Sequence, residues 1–189
     1  MINKKFIQQL KKDHKQHAVE QQQIVNLSST VLHDSKRVIF SLHRNNIDRA
    51  KNSLLAIEKI LIDLEKKFNN NRLIEEGVYR ACLEEYVEAK MFYLISTGQT
   101  IDKIKKIKLN INSYIGGICD LTGELVRVGI NKASIGQYNE IVKIKEIINS
   151  IMSELIEFDL TSYLRTKYDQ AKINSKKIEQ INYEINLRK

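Results

Sequence analysis

NSLLAIEKILIDLEKKFNNN, residues 52–71, decides the fold class. Its apolar positions Leu54, Ile57, Leu61, Leu64 and Phe68 recur at intervals of 3, 4, 3 and 4. That rhythm belongs to a helix laying one stripe into a bundle seam. Asn69, Asn70 and Asn71 end it, because short amides compete for the backbone's own hydrogen bonds. Upstream, Ile24, Leu27, Val31, Val38 and Leu42 recur at helical spacing, and Asn45-Asn46 supplies a stop and a restart. Residues 1–44 unbroken would make a helix about 65 Å long, which outreaches a compact domain and points to an assembly. Downstream the pattern predicts a helix over 72–97 with Glu75 and Glu76 near its start and Gly98 as a stop. A basic segment, IDKIKKIKLN (101–110), and the stretch INSYIGGICDLTGELVRVGIN (111–131) follow. Beyond Gly136 come helices near 138–158 and 161–187, the last with Leu164, Tyr168, Ala171, Ile178 and Ile185 on its core face. The expectation is an all-α bundle of six or seven helices, with residues 1–189 forming one helical domain.

Composition agrees. The 189 residues include no Pro and 7 Gly, too few of the residues that make tight turns for a sandwich or a wound sheet. With 42% hydrophobic residues the chain can bury a core. No run nears 18 apolar residues, so no membrane partner is expected. The N-terminus is charged too early for a signal peptide, which leads to the expectation of a cytoplasmic protein. Cys82 and Cys119 form no disulfide framework or zinc pattern. The net charge, 31 − 23 = +8, favours a polyanionic partner, since Lys and Arg gain affinity by releasing counterions from phosphates.

Two acid pairs stand out. Glu85 and Glu88 are three apart, so they share one side of their helix, and Ala81, Ala89 and Phe92 on that side suggest that another element covers it. Asp120 and Glu124 are four apart and border the stripe Ile118, Leu121, Leu125 and Val128, among Gly116, Gly117 and Gly123. Glycine inside a helix costs about 1 kcal/mol against alanine, so three around two acids imply close approach of a neighbour. Facing helices that each offer inward carboxylates can hold divalent metals, and hard oxygens suit Mg²⁺ or Mn²⁺. The same spacings occur on ordinary solvated helix faces, with Glu84 one more acid in the run, and spacing alone does not bring the pairs together. Lys36, Arg37, Arg44 and Arg49 are the basic candidates of the N-terminal region, and His43 beside Arg44 is readable as a phosphate contact or as a structural histidine. Further lysines cluster at 103–108 and 172–177, each cluster equally readable as a solvated face. No phosphate-binding loop, dinucleotide fingerprint or nucleophile elbow is present.

Four segments resemble one family. VNLSSTVLHDSKRVIFSLHR (25–44), EEYVEA (84–89), DLTGELVR (120–127) and YLRTKYDQAKINSKKIEQINYEINLR (163–188) are similar, in this order, to motifs of the translin family. DLTGELVR looks like the motif of its catalytic branch, the translin-associated factor X proteins, in a compact microbial form. The resemblance implies an all-α fold that assembles into a closed or partly closed shell, with an octamer of one chain type as the expected form. It implies a Mg²⁺-dependent endoribonuclease that cleaves RNA, single-stranded or partly duplex, within that shell. A non-catalytic binder of single-stranded RNA or DNA is the alternative. By motif, Glu85, Glu88 and Asp120 match the catalytic, metal-holding acids and Glu124 the fourth. Lys36, Arg37, His43 and Arg44 match a basic helix that faces RNA. Asp120 is the residue that non-catalytic translins replace by a small one. The long insertion of the eukaryotic branch before DLTGEL is missing: about 20 residues separate Gly98 from Asp120.

Overall fold

The computed structural model describes residues 2–187, so Met1, Arg188 and Lys189 lie outside the described residues, Arg188 being the last residue of the fourth family-like segment. Among the described residues seven helices follow in chain order: α1 (Lys4–His43), α2 (Ile47–Lys67), α3 (Asn70–Glu75), α4 (Gly77–Ser96), α5 (Ile111–Ser134), α6 (Tyr138–Leu155) and α7 (Ser162–Leu187). No strand occurs among the described residues.

The asparagines act as expected. Asn3 accepts from the Lys5 and Phe6 amides to start α1. Asn45 takes a left-handed backbone, φ 59°, which ends that helix, and Asn46 accepts from the Arg49 amide to start α2. An accepting side chain at the first turn satisfies a backbone N–H that the helix cannot. Gly98 and Gly136, with φ 71° and 73°, stop α4 and α5 in the conformation that glycine adopts without strain.

Two expectations need correction. The helix expected over 72–97 is broken at Glu76, whose backbone is extended (φ −82°, ψ 118°). Arg80 turns back from α4 to donate to the Ile74 and Glu75 carbonyls at the end of α3, groups that a continuous helix would have used itself. Glu75 therefore closes a short helix instead of opening a long one. On α1, Leu27 points outward, 38% exposed. The buried stripe runs Ile24, Ser28, Val31, Ser35, Val38, Leu42, and the two serines, invisible to a hydrophobic count, hold the places where α1 lies against its neighbours.

α4 and α5 pack on each other at the centre. α1 lies against α4 with α2 beside it, and α6 and α7 cover α5. The core between them includes Leu54, Ile57, Leu61, Tyr79, Leu83, Tyr86, Leu121, Leu125 and Ile148, each 2% exposed or less. The first five turns of α1 extend beyond this core, leaving Phe6, Leu10 and Val19 at 58%, 47% and 52% exposure. No helix among the described residues is long and apolar enough to cross a membrane.

Candidate functional site

A helix contact that only glycine permits brings the two acid pairs together. A Cβ on Gly117 would stand 2.8 Å from both the Glu84 carbonyl oxygen and Val87 Cβ, and one on Gly116 would stand 2.6 Å from the Glu84 carboxyl carbon. With hydrogen there instead, α5 closes on the turn of α4 that carries Glu84, Glu85 and Glu88. Asp120 and Glu124 follow the glycine pair by one and two turns, on the same flank of α5.

Electrostatics report the convergence. Burial pushes the Glu88 carboxyl up to about 9, and the negative charges of Glu85, Asp120 and Glu124 push the same way. Glu85 is raised by burial first; Lys36 opposes this, while Asp120 and Glu124 add to it. Among the described residues no hydrogen bond or ion pair reaches the carboxylate of Glu85 or Glu88, although Glu88 is only 8% exposed. Burial and the three neighbouring negative charges together disfavour the ionised form of Glu88, and the Lys167 charge works against them.

The other two acids have partners. His43 Nε2 pairs with Glu124, and Arg127 stands 3.6 Å from the same carboxylate. Burial alone would raise Glu124, but the His43 hydrogen bond and the His43 and Arg127 charges outweigh it and hold this acid below its usual range. Asp120 is raised by burial, with the Lys167 ammonium working against that and Glu84 with it. Lys167 Nζ donates to Asp120 and, at 2.6 Å, to Glu84 Oε1, and the Tyr163 hydroxyl donates to the same Glu84 oxygen at 2.6 Å.

Sequence reasoning does not single out Lys167 or Tyr163, and it leaves Glu84 as one more acid in a run. A signal existed: Tyr163 and Lys167 are four apart in TSYLRTKYDQ (161–170) and so share one face of α7. Nothing in the sequence says that this face meets α4 and α5.

The basic candidates divide. Lys36, Arg37 and Arg44 are exposed, Arg37 pairing with Asp34 at 3.1 Å and Arg44 lying 4.2 Å over the Phe40 ring. His43 does not join them. Its side chain is 6% exposed, its ring sits 5.1 Å from Phe92, and it serves Glu124. Lys36 and His43 are seven apart, hence on one face of α1, and that face looks toward the acids. Arg37 and Arg44 repeat the spacing about 100° around.

The chemistry of the donor set suits a hard divalent cation: carboxylate oxygens from two facing helices, and a Glu88 carboxyl raised by burial and by the charges of its acidic neighbours. The acids are neighbours and not a finished cage. Among the described residues no three His, Cys, Asp or Glu side chains stand close enough together, as placed, to hold a metal.

Comparison with known proteins agrees with the fold and the motifs. The chain is 29% identical over 191 residues to the translin-associated protein X homolog of Schizosaccharomyces pombe, covering 89% of this chain and 82% of that protein. It is 32% identical over 92 residues to translin of Gallus gallus, covering 48% of this chain and 40% of that one. Among solved structures, apo-NeC3PO superposes with a TM-score of 0.83 at 22% identity, and AfC3PO in complex with duplex RNA with 0.86 at 17% identity. Each superposition covers 97% of both chains. A model of the translin family matches residues 19–189. That span takes in α1 from Val19 onward, the six helices after it and every acid of the cluster, and on that match the chain belongs to the translin family.

Proposed function

We propose that this chain is a metal-dependent endoribonuclease that binds RNA within an oligomeric shell and cleaves phosphodiester bonds at the acids of α4 and α5. One observation carries the reading: Glu88, 8% exposed, lies in the field of Glu85, Asp120 and Glu124, beside exposed cations of α1. The motif resemblance to the catalytic branch, and the duplex RNA held by AfC3PO, support it.

In this reading Glu85, Glu88 and Asp120 hold the cation. Mg²⁺ or Mn²⁺ bound there would supply an activated water and stabilise charge building on the phosphate. Glu124 is either a further ligand or the base that orients water. His43 keeps the Glu124 carboxylate in one orientation and ionised, as partners behind metal-site ligands do. Lys36, on the acid-facing side of α1, is placed to hold a phosphate next to the site, and Arg37 and Arg44 extend that track. Eight copies of one chain are the proposed assembly.

The test is cleavage of labelled single-stranded RNA by wild type and Asp120→Ala, in Mg²⁺ and in EDTA. Partners behind a metal ligand already cost 10–100-fold when removed, so loss of a ligand should cost about 100-fold or more. Products from wild type in Mg²⁺ alone, and none from Asp120→Ala, bear the proposal out. Salt-sensitive RNA binding with no products would leave a non-catalytic nucleic-acid binder, in which the acids only shape the shell.

A further inference from the structure

Lys167, from α7, belongs to the site but to neither of the family-like acid motifs. Its ammonium joins Asp120 to Glu84, and the Tyr163 hydroxyl donates to the same Glu84 oxygen. All three groups are partly withdrawn from water, with side-chain exposures of 22%, 29% and 13% for Lys167, Asp120 and Glu84. Three features make this more than a surface ion pair. The ammonium serves carboxylates on two different helices. It comes from a third helix, so its place is set by tertiary packing and not by a flexible partner on the same surface. It also occupies one acid of the cluster while leaving Glu85 and Glu88 without a donor. Among the described residues, the ammonium bound directly to the cluster thus sits on the acid at its α5 edge.

Resting on the metal-site reading above, we infer that Lys167 is a built-in counterion that competes with the divalent cation for Asp120, so that its ammonium must leave this carboxylate before the metal site is complete. Lys167 holds Asp120 Oδ2, so a cation that takes this oxygen has to displace the ammonium from it. Lys167 has a second anchor in Glu84, and its four-carbon stem lets the ammonium swing to that anchor without moving α7. Competition of this kind sets a floor on the metal concentration needed to load the site and keeps the acids from repelling one another when the site is empty. Lys167 is a positioning residue in this scheme: it sets Asp120's availability and is given no part in bond cleavage.

Calorimetric titration with Mn²⁺ in the absence of RNA tests this on wild type, Lys167→Met, Lys167→Arg and Lys36→Met. A charge-assisted hydrogen bond of this strength is worth at least tenfold in an equilibrium constant, so Lys167→Met should bind Mn²⁺ about tenfold more tightly than wild type. Lys167→Arg, which keeps the charge, should bind near the wild-type value. Lys36→Met removes one positive charge from the same neighbourhood without an ion pair to Asp120, and should shift the affinity far less. Equal shifts for Lys36→Met and Lys167→Met would mean only a general field, and would overturn the inference. So would unchanged or weaker binding by a folded Lys167→Met, the result expected if Lys167 merely ties α7 to its neighbours. The metal-site reading survives both of those results. Wild type that takes up no Mn²⁺ at millimolar concentration would instead bring down that reading, and the inference with it. Carbon NMR of lysine-labelled wild type needs no variant to fold: the Lys167 side-chain resonance should move on addition of Mg²⁺, and a resonance unmoved at saturation refutes the displacement.

Discussion

Arg72 shows how much one buried charge can organise. It is 9% exposed and donates to Glu76 at 2.8 Å and Glu75 at 3.2 Å, with Glu20 of α1 at 3.5 Å. It thereby ties α3 to the projecting half of α1 at the point where the chain breaks before α4. Removing one partner of a buried pair is destabilising because the other is left uncompensated. Arg72→Met should cost about 3–5 kcal/mol at neutral pH, measured by urea unfolding. The pH dependence has a definite sign. The Arg72 hydrogen bond holds the Glu76 carboxyl below its ordinary 4.5, against the opposing effect of burial. A depressed carboxylate contributes stability that is present above its unfolded value and lost as pH falls through the folded one. The gap between wild type and Arg72→Met should therefore narrow as pH is lowered from about 7 to about 3.5; a gap of constant size would show that the Glu76 charge is not what Arg72 holds.

The α4–α5 contact belongs to the scale of elements. Alanine is favoured over glycine in a helix by about 1 kcal/mol, so propensity alone makes Gly117→Ala stabilising. Packing reverses the sign, because the new methyl would meet the Glu84 carbonyl oxygen and Val87 Cβ at 2.8 Å and the helices must part. Overpacking of this kind costs about 1–3 kcal/mol. Gly117→Ala should lower the urea midpoint and, by moving Glu85 and Glu88 away from Asp120 and Glu124, weaken Mn²⁺ binding as well. Gly123→Ala is the matched comparison. The atom nearest its methyl would be Asn174 Nδ2 at 3.4 Å, ordinary contact, so that variant should be neutral or slightly stabilised. Equal effects at the two positions would mean that helix contact does not explain the glycine pair.

For the whole molecule, the first turns of α1 stand clear of the core with Phe6, Leu10 and Val19 in water. Forty residues of α1 reach about 60 Å, well past the bundle they serve. An amphipathic helix left half uncovered is stabilised by packing against another surface, because isolated helical turns are marginal in water. Light scattering should give a multiple of the 22.0 kDa chain mass, with eight as the proposed number, and Phe6→Glu with Leu10→Glu should reduce it. A mass near 22.0 kDa for wild type would refute assembly. Salt belongs to this scale too. Lys36→Ala and Arg44→Ala each remove one cation from the proposed phosphate track, and each should lower the salt slope of RNA binding by about one.

The all-α class, the asparagine and glycine breaks, and the seam positions of α2 and α7 were legible in the sequence. They depend on interactions within a few residues of one another, such as side-chain caps, left-handed stops and a helical period of about 3.6 residues. Asp120, Glu85 and Glu88 were legible as motif residues, and the glycine pair hinted at a close neighbour. The identity of that neighbour, the burial of Glu88 and the withdrawal of His43 from the basic face to Glu124 were decided only by the tertiary structure. So was the reach of Lys167 across to Asp120, 47 residues away in the chain. Local patterns say which face of a helix is apolar, but a charge's environment is set by what packs over it. In this molecule that covering comes from α1 and α7, the two ends of the chain, folded onto opposite sides of the central pair.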